Sequence, residues 1–274
     1  MPELERLSIN LATVRQRWNL AQALDGCAAR SIPAVAPWRD QIAEMGLASA
    51  RRHVRELGLK VSGVCRGGMF PYADEAGRRR ADEDNRRALE EAVELEADCL
   101  VLVVGGLAEG SRDLSGARQM VEDGIARLLE QARPAGMRLA IEPLHPMYCA
   151  DRSCVNTVAQ ALDLCDRLGE GTGVALDVYH IWWDPDLPAQ IRRAGRERIH
   201  AFHVCDWLNP TTDLLLDRGM MGDGVIDIPS IRRMVEAEGY EGFHEVEIFS
   251  QANWWKRDPG EVLDICIRRH QEAC

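Results

Sequence analysis

The chain has 274 residues, of which 46% are hydrophobic, and such a chain can bury a large core. Its formal net charge of −11 argues against a nucleic-acid partner, because proteins that bind the phosphate backbone present a basic surface. The first residues lack the apolar core of a signal peptide and no apolar stretch approaches the length of a membrane span, so we expect a cytoplasmic protein with no membrane partner.

Apolar runs typical of strands alternate with amphipathic helical patterns from one end of the chain to the other. The strand candidates, in chain order, are Leu7–Asn10, Pro33–Ala36, Lys60–Cys65, Asp98–Val104, Met137–Glu142, Gly173–Asp177, Ile199–Val204 and Gly242–Ile248. The helical patterns lie at about 17–29, 40–57, 82–96, 114–133, 156–168, 186–195, 228–238 and 259–270. Glycine or proline marks most of the helix ends.

Eight strand–helix units in strict alternation predict a parallel sheet, and eight is the number that closes a barrel. The rival is an open, doubly wound sheet. It is weakened because the first strand is followed by Asn10-Leu11-Ala12-Thr13, which has none of the glycines of a dinucleotide-binding loop. We therefore predict an α/β protein with a single (β/α)₈ TIM-barrel domain over residues 1–274.

An acid or a histidine lies at the end of each of the last four predicted strands: Glu142, Asp177, His203 and Glu247. Any one of these acids alone is typical of a helix cap or a loop salt bridge, but charge is costly where strands pack, and four in succession are unusual. In a barrel the carboxyl ends of the strands converge on the face that holds the active site. Three carboxylates and one imidazole favour one divalent cation, with Mn²⁺ as first choice and Mg²⁺, Co²⁺ or Zn²⁺ as alternatives.

The last strand offers two glutamates, Glu245 and Glu247, on the same side because side chains alternate along a strand. Glu247 is nearer the carboxyl-terminal rim, and we choose it as the ligand. His200 and His244 lie near the amino-terminal ends of their strands, so we interpret them as structural or surface residues.

Several other residues fall at the same rim and are candidates for substrate binding. Arg66 directly follows the third predicted strand; it suits a carboxylate or a phosphate, with a structural salt bridge as the alternative. Trp38 belongs to a set of tryptophans suited to stack on sugar faces, and His145 follows Glu142 on its loop. The long segment Trp207–Ile226 has the length of a functional loop, and we expect it to cover the pocket with Arg218 or Asp223 toward the substrate.

Nine cysteines are scattered without a CxxC pair, which is typical of buried, reduced thiols rather than of disulfides or a zinc knuckle. Cys205 lies two residues after His203, and a nucleophilic role for this thiol stays open.

A set of short motifs resembles the sugar phosphate isomerase/epimerase superfamily, the xylose isomerase-like TIM barrels that include ketose 3-epimerases, inosose dehydratases, hydroxypyruvate isomerases and type IV endonucleases. The motifs are Glu142-Pro143, Asp177-Val178-Tyr179-His180, Phe202-His203-Val204, Gly222-Asp223-Gly224-Val225-Ile226-Asp227 and Val246-Glu247. The resemblance covers roughly residues 5–270. It implies that the four strand-end residues are metal ligands, that Glu142 and Glu247 also act as the acid/base pair, and that His180 hydrogen-bonds the substrate. Where the epimerases carry an arginine this chain has Asn209, and Arg218 is the candidate replacement.

Together these features predict a metal-dependent isomerase or epimerase of a sugar or polyol that transfers a proton through an enediolate. A cation that polarises a carbonyl acidifies the neighbouring C–H group, and one carboxylate removes the proton while another returns it. Because an enolate also serves elimination, the alternative is a lyase or dehydratase acting on a keto-sugar, a keto-inositol or 3-dehydroshikimate.

Two classes of protein that do not use this proton-transfer chemistry are less well supported by the sequence. Hydrolysis of abasic DNA is disfavoured by the negative net charge and by only seven histidines. A catalytically dead metabolite binder is disfavoured by the intact Glu142 and Glu247, and a role as a subunit with a partner stays open. We expect a homo-oligomer with a small-molecule substrate.

Overall fold

Parallel strands form a ring at the centre of the computed structural model, which describes residues 3–274. The strands are β1 (Leu7–Asn10), β2 (Ala34–Ala36), β3 (Lys60–Val61), β4 (Val64–Gly68), β5 (Leu100–Val103), β6 (Leu139–Ile141), β7 (Thr172–Asp177), β8 (Ile199–Val204), β9 (Asp206–Trp207), β10 (Arg218–Gly219) and β11 (His244–Val246). Nine of them form one parallel sheet in the order β3-β2-β1-β11-β8-β7-β6-β5-β4, and β9 pairs with β10 in a separate antiparallel ribbon.

The ring closes through its third barrel strand, which is broken into β3 and β4. The segment β3 pairs with β2, and β4 pairs with β5. Within the break, Ser62 N donates to Val35 O at 3.0 Å, and a further parallel bridge joins Trp38 to Cys65. Counted in this way the ring has eight strands, and the protein is the (β/α)₈ TIM barrel that the sequence predicts.

Helices surround the barrel and connect its strands. They are α1 (Leu20–Ala28), α2 (Arg39–Met45), α3 (Leu47–Glu56), α4 (Glu75–Glu94), α5 (Leu114–Ala132), α6 (Val158–Leu168), α7 (Val178–Ile181), α8 (Leu187–Arg198), α9 (Ile228–Ala237) and α10 (Pro259–Ala273). Short 3₁₀ turns occupy Leu4–Arg6, Leu11–Thr13, Pro146–Tyr148 and Trp254–Lys256. Over residues 3–274, no helix combines the length and the apolar character needed to cross a membrane.

Two helices differ from the prediction, and each difference has a local cause. The pattern at 40–57 is two helices, because Gly46 takes a φ of 85° and ends α2. Helix α4 begins seven residues before the predicted start at 82, because the side chain of Asp74 accepts a hydrogen bond from Gly77 N and caps it there.

The strands differ mainly in length. Four of the eight are one or two residues shorter at one or both ends than predicted, since the pairing that defines them depends on their neighbours. The third strand instead continues through Gly68, so Arg66 lies within β4 rather than after it.

Large apolar side chains fill the space between strands and helices, whereas small ones line part of the barrel interior. The small-residue cluster comprises Cys65, Cys99, Val101, Ala140, Ala175 and Ala201. All nine cysteines are free thiols, as predicted, and all except Cys149 are buried. Burial raises the pKa of the Cys205 thiol well above its ordinary value, which argues against a nucleophilic role.

Two histidines pair at the amino-terminal end of the barrel. His244, the first residue of β11, places Nδ1 3.0 Å from Nε2 of His270 in α10, and both side chains are buried. Burial lowers the pKa of His270 to about 4 and that of His244 to about 2. The structural interpretation of His244 therefore holds, and the pair is packed as neutral imidazoles.

This pair predicts that the free energy of unfolding falls as the pH drops below about 6.5, because the unfolded imidazoles bind protons that the folded ones exclude. With a folded pKa of about 4, His270 alone costs on the order of 2 kcal/mol between pH 7 and pH 5. Urea unfolding of His270→Gln should show a flatter pH dependence over this range. Gln131→Asn, which changes an exposed side chain that does not titrate, is the control and should keep the wild-type slope. An unchanged slope in His270→Gln would contradict the prediction.

Candidate metal centre

Four ionisable side chains meet at the carboxyl ends of four neighbouring barrel strands. Glu142 directly follows β6, Asp177 ends β7, His203 is the next-to-last residue of β8, and Glu247 directly follows β11. One ligand atom from each lies within 4.8 Å of the others. The register accounts for this grouping, because Asp177 lies beside His203 across β7 and β8, and β11 is the other neighbour of β8. The structure thus brings together the four predicted ligands.

The cluster offers a divalent cation three carboxylates and one imidazole. All four side chains are buried, and neither ring nitrogen of His203 has a hydrogen-bond partner among the described residues. His203 Nδ1 lies 3.3 Å from Glu142 Oε1 and 3.9 Å from Glu247 Oε2. Carboxylates and a neutral imidazole are the ligands that such cations take, so the residues present fit a divalent cation.

The electrostatics of the cluster also favour a bound positive charge. Burial, together with the nearby carboxylate of Glu142, raises the pKa of Glu247 to about 8. Burial by itself lowers the pKa of His203, but the carboxylates of Glu245, Glu142 and Glu247 outweigh it and raise this pKa to about 10. Both shifts reflect excess negative charge in a dry site, which a divalent cation neutralises.

Arg218 enters the same cluster from β10. Its Nη1 donates to Asp177 Oδ2 at 2.8 Å and to Glu247 Oε2 at 3.0 Å, and its Nη2 lies 3.2 Å from His180 Nε2. The guanidinium is buried, with Cζ 4.4 Å from the ring centroid of Tyr179. The loop therefore carries one fixed positive charge into the site.

A carboxylate outside the cluster, that of Asp206, holds the loop that carries Arg218. Asp206 accepts hydrogen bonds from the backbone amides of Gly222, Gly224 and Ile226. Asp223, the other predicted candidate for substrate contact, instead pairs with Arg269 at 3.0 Å. Of the two alternatives, the structure directs only Arg218 into the cluster.

The two aromatic candidates for substrate binding, Trp38 and His145, lie around the cluster. Trp38 donates through Nε1 to Asn10 Oδ1 at 2.7 Å and packs edge-on against Phe249. His145 stacks on Trp207 with ring centroids 5.1 Å apart.

His180 and Arg66 occupy contrasting environments. Burial lowers the pKa of His180 to about 3, so its imidazole is neutral, and its Nδ1 accepts a hydrogen bond from His145 N. Arg66 is half-buried, and burial and the neighbouring charge of Arg152 lower its pKa. No carboxylate in the described part of the chain lies within 4.0 Å of Arg66, so the structural salt bridge considered above is not formed.

Asn10 is a residue of the predicted rim to which the sequence assigned no role. Its Nδ2 donates to Glu247 Oε1 at 3.0 Å and to Glu245 Oε1 at 2.8 Å. The only signal in the sequence was its position at the end of the first strand, and that signal is weak for a neutral side chain.

Comparison with known proteins identifies the family. Residues 21–265 match the model of the xylose isomerase-like TIM barrel, and the chain belongs to this family. The crystal structure of protein SMc04130 from Sinorhizobium meliloti 1021 is 60% identical, superposes with a TM-score of 0.98 and covers 99% of both chains. The crystal structure of the IolI protein with a bound zinc atom is 19% identical with a TM-score of 0.84, covering 98% of this chain and 97% of that one, which shows a shared fold.

Two curated relatives carry enzyme names. The inosose isomerase of Halalkalibacterium halodurans is 24% identical over 184 residues, which are 66% of this chain and 64% of that enzyme, so the match spans less than two thirds of the relative. The putative L-ribulose-5-phosphate 3-epimerase SgbU of Escherichia coli is 27% identical over 228 residues, covering 80% of this chain and 75% of that protein.

We predict that the cluster binds one divalent cation per chain. Because a ligand that binds only the folded state stabilises it, Mn²⁺ should raise the unfolding temperature of protein first treated with a chelator. Asp177→Asn should weaken binding by more than about 10–100-fold, the usual cost of losing a residue that merely supports a ligand, and excess Mn²⁺ should restore it in part.

Metal analysis and thermal unfolding check this, with Asp186→Asn as the control because Asp186 is an exposed carboxylate. Equal stabilisation of Asp177→Asn and wild type by Mn²⁺ would show that the cation binds elsewhere.

Proposed function

We propose that the protein is a divalent-metal-dependent isomerase or epimerase that moves a proton within a sugar or polyol through an enediolate. The observation that carries this proposal is the pair of buried carboxylates, Glu142 and Glu247, in one cluster with Asp177 and His203. The names of the two curated relatives, an isomerase and a putative epimerase, support the same reaction class.

In this proposal Glu142, Asp177, His203 and Glu247 hold the cation. Mn²⁺ remains the first choice, and Mg²⁺, Co²⁺ and Zn²⁺ suit the same donors; the zinc bound by IolI agrees with a site of this kind. The charges support a bound cation, because the carboxylates of the cluster outnumber the single guanidinium of Arg218. When bound, the cation polarises the substrate carbonyl and makes the neighbouring C–H group more acidic.

The proton transfers fall to Glu142 and Glu247. The two glutamates come from β6 and β11, which β7 and β8 separate in the sheet, so they approach the substrate from different directions. One carboxylate takes the proton from carbon, and the other donates a proton to the opposite face or to the adjacent carbon. The first outcome is epimerisation and the second is isomerisation.

Five further side chains form the proposed substrate pocket. Arg218 and His180 lie against the cluster, where a guanidinium and a neutral imidazole suit hydroxyl and carbonyl oxygens. Trp38 and His145 supply aromatic surfaces for a sugar face. Arg66 has no carboxylate partner within reach in residues 3–274, which leaves its guanidinium to an oxygen-rich or anionic group. We also propose that one barrel domain carries the whole activity and that the protein is a homo-oligomer.

We predict that Glu142→Gln and Glu247→Gln each abolish turnover. Glutamine keeps the size and one acceptor oxygen but cannot accept or donate the proton, and losing one acid/base group costs about 10²–10⁴-fold. Metal occupancy should survive in part, because three ligands remain.

Solvent-deuterium incorporation gives the sharper measurement. Incubated in D₂O with keto-sugars or cyclic polyols, each variant should still exchange a proton on the face served by its remaining glutamate. Glu130→Gln changes an exposed glutamate and is the control. Full turnover in both active-site variants would overthrow the two-carboxylate mechanism.

For Arg218 we expect Arg218→Ala to raise the Michaelis constant and lower turnover for the substrate found in that screen. Arg218→Lys should recover little of the loss, because an ammonium cannot reproduce the forked contacts of the guanidinium. Arg269→Ala, which breaks the outer pair of the same loop, controls for disturbance of the loop. Unchanged steady-state constants in Arg218→Ala would mean that Arg218 is structural.

A further inference from the structure

A second buried glutamate lies beneath the proposed metal ligands. Glu245 belongs to β11 and pairs in register with His203 across β8, whereas Glu247 lies two residues nearer the rim. Glu245 is only 2% exposed, and the proposed acid/base chemistry does not use it. A carboxylate so deeply buried is costly unless its oxygens are hydrogen-bonded.

The two ring nitrogens of His203 face different carboxylates. Nδ1 is directed at the ligand cluster, 3.3 Å from Glu142 Oε1. Nε2 lies 3.5 Å from Glu245 Oε1 and has no hydrogen-bond partner among the described residues. For a buried N–H at this position, the carboxylate of Glu245 is the nearby acceptor.

We propose that Glu245 is a positioning residue for the metal centre, which accepts the Nε2–H of His203 and so presents Nδ1 to the cation. The inference rests on the proposed metal site. A metal-ligating histidine usually donates its other ring N–H to a carboxylate or carbonyl, which fixes its tautomer and orientation and makes the ligating nitrogen more basic.

Glu245 is itself held from both sides. Its Oε2 accepts from Ser62 Oγ at 2.7 Å, and its Oε1 accepts from Asn10 Nδ2 at 2.8 Å. Ser62 lies in the break between β3 and β4, and its hydroxyl also lies 2.7 Å from Ser8 Oγ. These contacts fix the carboxylate before any cation binds, as preorganised support requires.

Position relative to His203 distinguishes Glu245 from a ligand. Glu245 Oε1 lies 3.5 Å from Nε2, the ring nitrogen that is turned away from Glu142, whereas Glu247 Oε2 lies 3.9 Å from Nδ1. The choice between Glu245 and Glu247 as the ligand thus has a physical basis: the deeper carboxylate supports the imidazole, and the outer one faces the cluster.

The test is the affinity of the chelator-treated protein for Mn²⁺ alone. Glu245→Gln should raise the dissociation constant by about 10–100-fold, the usual effect of losing such a carboxylate. Ser8→Ala is the matched control, because it removes a hydrogen bond from the same polar network but leaves both hydrogen bonds of Glu245 in place, and it should keep the wild-type constant. Ser62→Ala removes one hydrogen bond from Glu245 and should weaken binding by a smaller factor than Glu245→Gln.

A spectroscopic measurement separates positioning from a general structural role. In the zinc-loaded protein, nitrogen-15 spectra should show His203 with its proton on Nε2 in slow exchange with solvent, and Glu245→Ala should abolish that slow exchange. A purely structural Glu245 would lower only the unfolding temperature of the metal-free variant, leaving affinity and proton exchange unchanged, and this result would overturn the inference.

Two outcomes separate this inference from the proposed function. If wild type binds no divalent cation, the proposed function fails and the inference fails with it. If wild type binds Mn²⁺ and both Glu245→Gln and Ser62→Ala bind it equally well, only the role of Glu245 is overturned. Should Glu245→Gln not fold, an unchanged affinity in Ser62→Ala would itself overturn the inference.

Discussion

Negative charge buried at one end of the barrel is the constraint on which the rest of this site depends. Four carboxylates surround one imidazole in a region almost closed to water: Glu142, Asp177, Glu245 and Glu247. Burying carboxylates together is costly unless each is paired or hydrogen-bonded. Hydrogen bonds from three neighbouring side chains offset that cost. They come from the guanidinium of Arg218 in a distant loop, the amide of Asn10 at the end of β1 and the hydroxyl of Ser62 in the break between β3 and β4.

The barrel architecture makes this concentration of charge possible. Parallel register aligns the ends of β6, β7, β8 and β11, and small side chains in part of the interior leave room for polar groups between them. The loop after β8 then returns Arg218 to the cluster, and Asp206 keeps the loop in place through backbone amides. Asp206 holds the backbone of this loop, and Arg218 of the same loop contacts the cluster, so the position of the guanidinium depends on how the loop is held.

Family membership establishes the fold of this protein, but it does not establish the reaction. The xylose isomerase-like barrel defines the scaffold, but one scaffold hosts many activities, and the curated relatives act under different names. In the proposed mechanism, isomerisation and epimerisation share an enediolate intermediate and use the same two glutamates. In the same proposal, substrates are distinguished at the rim, where Trp38, His145 and Arg66 contribute surfaces that the proton-transfer step itself does not require.

The sequence by itself determined the order of the elements, the eight-stranded barrel and the four residues of the candidate metal cluster. These follow from local patterns, since apolar runs set the strands and a charged residue at the end of a buried strand is unusual enough to be informative. Boundaries such as the break at Gly46 and the start of α4 were misplaced because a single φ angle or cap decides them. Only the tertiary structure decided that Glu245 lies beside Nε2 of His203, that Asn10 joins both glutamates, and that Arg218 rather than Asp223 enters the cluster. Those contacts join residues far apart in the chain, and they depend on strand register and on the path of a long loop, which no local pattern encodes.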